Sequence, residues 1–120
     1  MVGLETAFAV AYRELVQPGD LTLAQLVHRF SNAPRRVLGL PPTRVRVGET
    51  ADLTVVRLDA PWRVKASAFA TMGRSTPFED WDLPVSVELT IAQGRITHQA
   101  TAADRAGAPA GPQALAVPRG

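Results

Sequence analysis

The chain has 120 residues, 46% hydrophobic and 20% charged, with a formal net charge of +2, which allows one domain with one modest core. No apolar run approaches the roughly 18 residues of a membrane span, and the start shows no basic region followed by an apolar run, so a cytoplasmic setting without membrane contact is expected. The lack of cysteine excludes disulfides, thiolate zinc sites and a cysteine nucleophile.

A sequence pI of about 9.9 invites a nucleic-acid reading that the distribution of charge argues against. Lys65 is the single lysine, the arginines are scattered apart from the pair Arg35 and Arg36, and 11 acidic residues nearly balance them. No interleaved aromatics offer stacking platforms for bases. No nucleic-acid partner is expected.

In chain order, Leu4, Ala7, Phe8, Ala11, Tyr12 and Leu15 recur at spacings of three and four, which predicts one stripe of an amphipathic helix ending at Gln17-Pro18-Gly19. Thr22 followed by Gln25 announces a second helix through a capping box, with Leu23, Leu26, Val27 and Phe30 on one face. A short third turn is expected over 34–38, with a proline at its start and Gly39 at its end.

From Thr43 the period changes to two. Arg44, Val45, Arg46 and Val47 alternate before Gly48, and a Val-rich strand is expected over 52–58. Residues 62–66 predict a further strand and 68–78 a loop. Val85, Val87, Leu89 and Ile91 alternate up to a turn at Gln93-Gly94, and 95–99 returns as the hairpin partner. Residues 101–120 are mainly Ala, Gly and Pro, a composition that cannot bury enough surface to offset chain entropy, so a disordered tail is expected there. No strand precedes the two helices, which leaves their apolar stripes without an obvious surface to cover.

Candidate chemistry is sparse. His28 and His98 lie seventy positions apart, and neither has a partner at metal-ligand spacing. Glu79, Asp80 and Asp82 flank Trp81, a group that reads as solvated loop charge rather than as an acid/base pair. Lys65 needs burial or a cationic neighbour to lower its pKa; Arg63 is that neighbour in sequence, but a solvated structural pair is the simpler reading. Ser31, Ser67, Ser75 and Ser86 lie outside any nucleophile elbow, and no glycine-rich phosphate loop is present. The chain does not carry the side chains of a metal-dependent or nucleophilic active site.

Four segments in order nevertheless carry a resemblance. Met1-Val2-Gly3-Leu4-Glu5-Thr6-Ala7 resembles the segment after the last barrel strand of dihydroorotases. The stretch 23–40, with Leu26-Val27, Ser31, Pro34, Arg36 and Leu38-Gly39-Leu40, resembles their next helix and Pro-Ala-Arg turn. Val47-Gly48-Glu49-Thr50-Ala51-Asp52-Leu53 is similar to the Gly-x-x-Ala-Asp-Leu strand start of cyclic amidohydrolases. The most specific piece is Ser75-Thr76-Pro77-Phe78-Glu79-Asp80-Trp81-Asp82-Leu83 followed by Thr90-Ile91-Ala92-Gln93-Gly94-Arg95-Ile96, which resembles the family's Asn-Thr-Pro-Phe-x-Gly-Trp-x-Leu and Thr-Ile-x-x-Gly ending. The resemblance covers roughly residues 1–99, and Trp62 with Thr76-Pro77-Phe78 favours dihydroorotase over allantoinase or hydantoinase. Departures stand at Ser75 for Asn, Asp80 for Gly, Arg35 for Ala and Val85 for Gly.

The resemblance implies an α+β chain that is an incomplete amidohydrolase fold. Residues 1–40 would be two helices from the end of a (β/α)8 barrel, 43–99 part of the flanking small β-sandwich, and 101–120 a tail. The family uses zinc to interconvert dihydroorotate and N-carbamoyl-aspartate in pyrimidine biosynthesis, and its metal ligands and catalytic Asp precede the residues matching Met1. No catalytic or metal residue is therefore carried over; Lys65 falls after the barrel and is not the bridging lysine. Met1, Val2 and Gly3 match the last residues of a substrate loop, and Val2 and Gly3 are the candidate edge of that loop. The implied partners are the missing barrel portion or a subunit such as aspartate transcarbamoylase; a noncatalytic interaction or scaffold module is the alternative. Because the sandwich of the whole enzyme also takes strands from the N-terminal part, an unpaired sheet edge is expected here.

Overall fold

A computed structural model describes residues 1–102 and the backbone of Ala114–Pro118. Among the described residues the architecture is α+β: three short α-helices, a four-stranded antiparallel sheet and a two-stranded ribbon.

The first helix, α1, runs over Ala7–Ala11 and continues as a π-helical turn over Tyr12–Val16, where the Gln17 amide donates to the Tyr12 carbonyl at 3.0 Å. Its buried face differs from the expected stripe. Thr6 and Ala9 point inward, whereas Leu4 is 91% exposed and Leu15 is also exposed. The chain turns over residues 4–6, with the Gly3 carbonyl accepting from the Thr6 and Ala7 amides, so the helix starts after Leu4. The wider π-turn then re-phases the side chains that follow it.

Helix α2, Leu23–Phe30, begins as expected: the Gln25 amide donates to the Thr22 hydroxyl at 3.2 Å and the Thr22 amide donates to the Gln25 side chain at 2.8 Å. Leu26 is buried, and Phe30 meets Phe8 edge-on with ring centroids 5.3 Å apart. Helix α3, Asn32–Val37, starts two residues ahead of the expected turn and ends before Gly39, whose φ of +69° suits a helix terminus that a side chain would strain.

The alternating residues 44–47 do not form a strand, and Val45 and Val47 are exposed. Period-two patterning becomes a strand only where a ladder partner accepts its backbone groups, and none of the described strands pairs with this segment. Its start is held instead by polar contacts. The Thr43 amide donates to Asn32 Oδ1 at 2.9 Å, and the Thr43 and Ser31 hydroxyls lie 2.9 Å apart.

The strands are β1 (Leu53–Arg57), β2 (Trp62–Arg63), β3 (Asp82–Leu83), β4 (Ser86–Ala92), β5 (Arg95–Gln99) and β6 (Ala114–Pro118). The large sheet has the order β5-β4-β1-β6, and β2 pairs with β3. The strand expected over 62–66 is thus cut to two residues, because the chain leaves the ribbon and turns into a 3-10 helix at Ala66–Ala68. The β4–β5 hairpin forms as expected. Gln93 and Gly94 both have positive φ, +49° and +76°, the requirement of a tight turn whose twist matches the strands.

Within the expected tail over 101–120, Ala114–Pro118 pairs antiparallel with β1 from Leu53↔Pro118 to Arg57↔Ala114. The Ala, Gly and Pro bias of this stretch surrounds the short apolar run Ala114-Leu115-Ala116-Val117, and β1 supplies its backbone partners. Residues 103–113, 119 and 120 lie outside the described residues.

The core joins Ala9 of α1 to Val56, Val64, Ala66, Phe69, Leu83 and Val85, with Phe8, Val10, Tyr12, Trp62 and Trp81 packed around them. The first helix is therefore not orphaned. The strands that follow it in sequence fold back to cover it, an arrangement that sequence order alone conceals.

Candidate functional site

The segment matched to the edge of a substrate loop is held by residues about seventy positions away. The Val2 amide donates to the Ser75 carbonyl at 2.8 Å. The Glu5 carboxylate accepts the Ala70 and Thr71 amides at 3.2 and 3.0 Å. Burial opposes its charge, but the Thr71 and Ala70 amides and the Arg74 guanidinium outweigh it and hold the Glu5 carboxyl below its usual range. A side chain at Gly73 would bring its Cβ within 2.4 Å of Val2 Cγ1, so the loop passes closest to the N-terminal segment where it has no side chain. Val2, Gly3, Thr6, Phe69 and Thr71 line a depression of about 160 Å³. The structure brings Val2 and Gly3 together with the 69–75 loop, and this wall is apolar and backbone-rich.

Each residue of the acidic group has a structural partner. Glu79 accepts the Ala66 amide at 2.8 Å, Asp80 pairs with Lys65, and Asp82 takes both nitrogens of a bidentate Arg63 fork at 2.9 Å. The Arg63 hydrogen bond is the main cause that lowers the Asp82 pKa. Arg63 and Lys65 thus lie on the solvated side of the ribbon, as the alternation predicts. Arg13, which the sequence reading passed over, stacks 4.7 Å from the centre of the Trp81 ring and donates to the Asp82 carbonyl at 3.2 Å. No local pattern in the sequence marks it, because its partners Trp81 and Asp82 lie far along the chain. These contacts clamp α1 to the 78–83 turn, and none presents a free acid or base.

Ser31 is buried against Thr43, and Ser75 contributes a backbone carbonyl. His28 and His98 are both exposed. A larger depression of about 540 Å³ lies beside the 42–53 segment and is lined by Arg35, Arg44, Arg46, Glu49 and Asp52 among others; Asp52 is already bound to the Gln93 amide at 2.8 Å. Among the described residues no three His, Asp or Glu side chains gather where a metal ion would bind. A catalytic zinc needs three protein ligands, so these residues do not fit one. No described helix is long and apolar enough to cross a membrane.

No family model matches the chain. It is 42% identical over 99 residues to a dihydroorotase of Brevibacillus brevis, covering 82% of this chain and 23% of that protein. It is 41% identical over 97 residues to a dihydroorotase of Syntrophus aciditrophicus (81% and 22%) and 37% identical over 99 residues to one of Clostridium botulinum (82% and 25%). In class the chain is an amidohydrolase segment. It belongs to the dihydroorotases, as a segment like their C-terminal part, and spans about a quarter of the length of the curated relatives it matches.

One departure from the family pattern has a physical reading. Asp80 stands where glycine is usual, and its φ is +65°, a conformation that glycine adopts without strain. The turn keeps this geometry with aspartate because the Asp80 amide donates to the Val64 carbonyl at 3.0 Å and its carboxylate meets Lys65.

Proposed function

We propose that residues 1–40 supply the closing helices of a (β/α)8 barrel and 43–99 part of the small β-sandwich beside it, in a cytoplasmic zinc enzyme that interconverts dihydroorotate and N-carbamoyl-aspartate. The chain contributes structure to that enzyme and no catalytic group, and it is inactive alone. The observation that supports this reading is the identity with dihydroorotases over 99 residues, joined to the lack of a metal-ligand cluster among the described residues. Val2 and Gly3 form the edge of the substrate loop, held in place by Ser75 and the close approach at Gly73. The partner is the preceding barrel portion, with an aspartate transcarbamoylase subunit as the alternative partner in a scaffold role.

The test is turnover. The purified chain with zinc should hydrolyse dihydroorotate no faster than buffer, and coexpression with the preceding portion of a dihydroorotase should restore activity. Turnover by the chain alone would overturn the assignment of an accessory role. In the complemented enzyme, Gly3→Val should raise KM more than it lowers kcat; an unchanged KM would remove Val2 and Gly3 from the substrate loop.

A further inference from the structure

We infer that Ala114–Pro118 is a self-complementing strand that closes the β1 edge against strand addition by a second copy of this chain. The inference is independent of the proposed function, because it concerns a strand beyond the residues that resemble the family.

The two edges of the sheet differ. At one edge, β5 is exposed along its length and carries Arg95, Thr97, His98 and Gln99 with the single apolar residue Ile96, a mainly polar composition that discourages pairing between molecules. At the other, β1 reads Leu53-Thr54-Val55-Val56-Arg57, with three β-branched residues in a row. Such a segment left open is a template for intermolecular β-pairing. Given the order β5-β4-β1-β6, removing β6 makes β1 the edge.

The register supports a built closure. β6 pairs with β1 over five consecutive residues without a shift, whereas both the β1–β4 and β4–β5 ladders contain one. Pro118 takes the last position, opposite Leu53, where an edge strand tolerates a residue without an amide donor. The connection from β5 must cross from one edge of the sheet to the other, about 14 Å at the usual spacing between strands. Residues 100–113 can extend to roughly 46 Å. That chain length is enough for the strand to reach its own β1 or that of a neighbouring molecule, so the closure and a strand-swapped dimer use the same ladder.

The test uses the full chain. Adjacent residues of a strand point their amides in opposite directions, so one of Leu115→Pro and Ala116→Pro must delete a donor aimed at β1 while the other deletes one aimed at solvent. Amide hydrogen exchange and oligomeric state by light scattering are read for the wild type and both variants. The wild type should be monomeric. One variant should lose protection tenfold or more within Leu53–Arg57 while keeping it in β4 and β5, and should dimerise with rising concentration. A peptide of residues 111–120 added in excess should restore its monomer. The inference is overturned if both variants match the wild type or if the sensitive variant stays monomeric at every concentration. It also fails if protection is lost across β4 and β5 as well, since β6 would then support the whole sheet rather than close its edge.

Discussion

Glu5 and Asp80 are both exposed acids, yet the structure uses them differently. Glu5 ties the N-terminal segment to the amides of residues 70 and 71, and its pKa is lowered from 4.5. A carboxyl whose folded pKa lies below its unfolded value contributes stability that is fully present above 4.5 and is lost as pH falls through the lower folded value. Urea midpoints of wild type and Glu5→Gln should therefore differ at neutral pH and converge as the medium is acidified below 4.5; a gap independent of pH would show that the charge plays no part. At Asp80 the issue is the backbone. Asp80→Gly loses an exposed ion pair worth at most about 1 kcal/mol and relieves the left-handed strain, so denaturation should place it within about 1 kcal/mol of wild type. Asp80→Val puts a β-branched side chain at positive φ and should cost about 2 kcal/mol.

At the scale of elements, local signals held where an element is closed by its own residues. The capping box at Thr22 is written within four positions, and Thr22→Ala should cost about 1 kcal/mol by thermal or urea unfolding, with the loss recovered by Thr22→Asn. The Gln93-Gly94 hairpin is local in the same sense. Residues 44–47 show the opposite case: an alternating pattern predicts a strand, but strand formation needs a neighbour that the segment itself does not specify. Ala114–Pro118 depends on a neighbour in the same way. A composition averaged over twenty residues hid a run of four apolar ones, and only the position of β1 in the sheet shows that this run has somewhere to pair.

Taken as a whole molecule, the chain is held by a core centred on Val64 and Leu83, both 0% exposed, that joins α1 to the ribbon and the sheet. Among the described residues no metal-ligand group forms, so neither zinc nor a chelator is expected to shift the melting temperature; a rise with zinc would show a ligand set that the described residues do not form. The sequence by itself determined the family, through motifs whose residues are contiguous. It also determined the capped helix and the tight hairpin, since their contacts span a few residues. Only the tertiary structure decided which face of α1 is buried, which partners bind Glu79, Asp80 and Asp82, that Arg13 stacks on Trp81, and what occupies the edge of β1. Each of these depends on contacts between residues far apart in the chain, where burial and hydrogen bonding are settled by the packed fold rather than by local pattern.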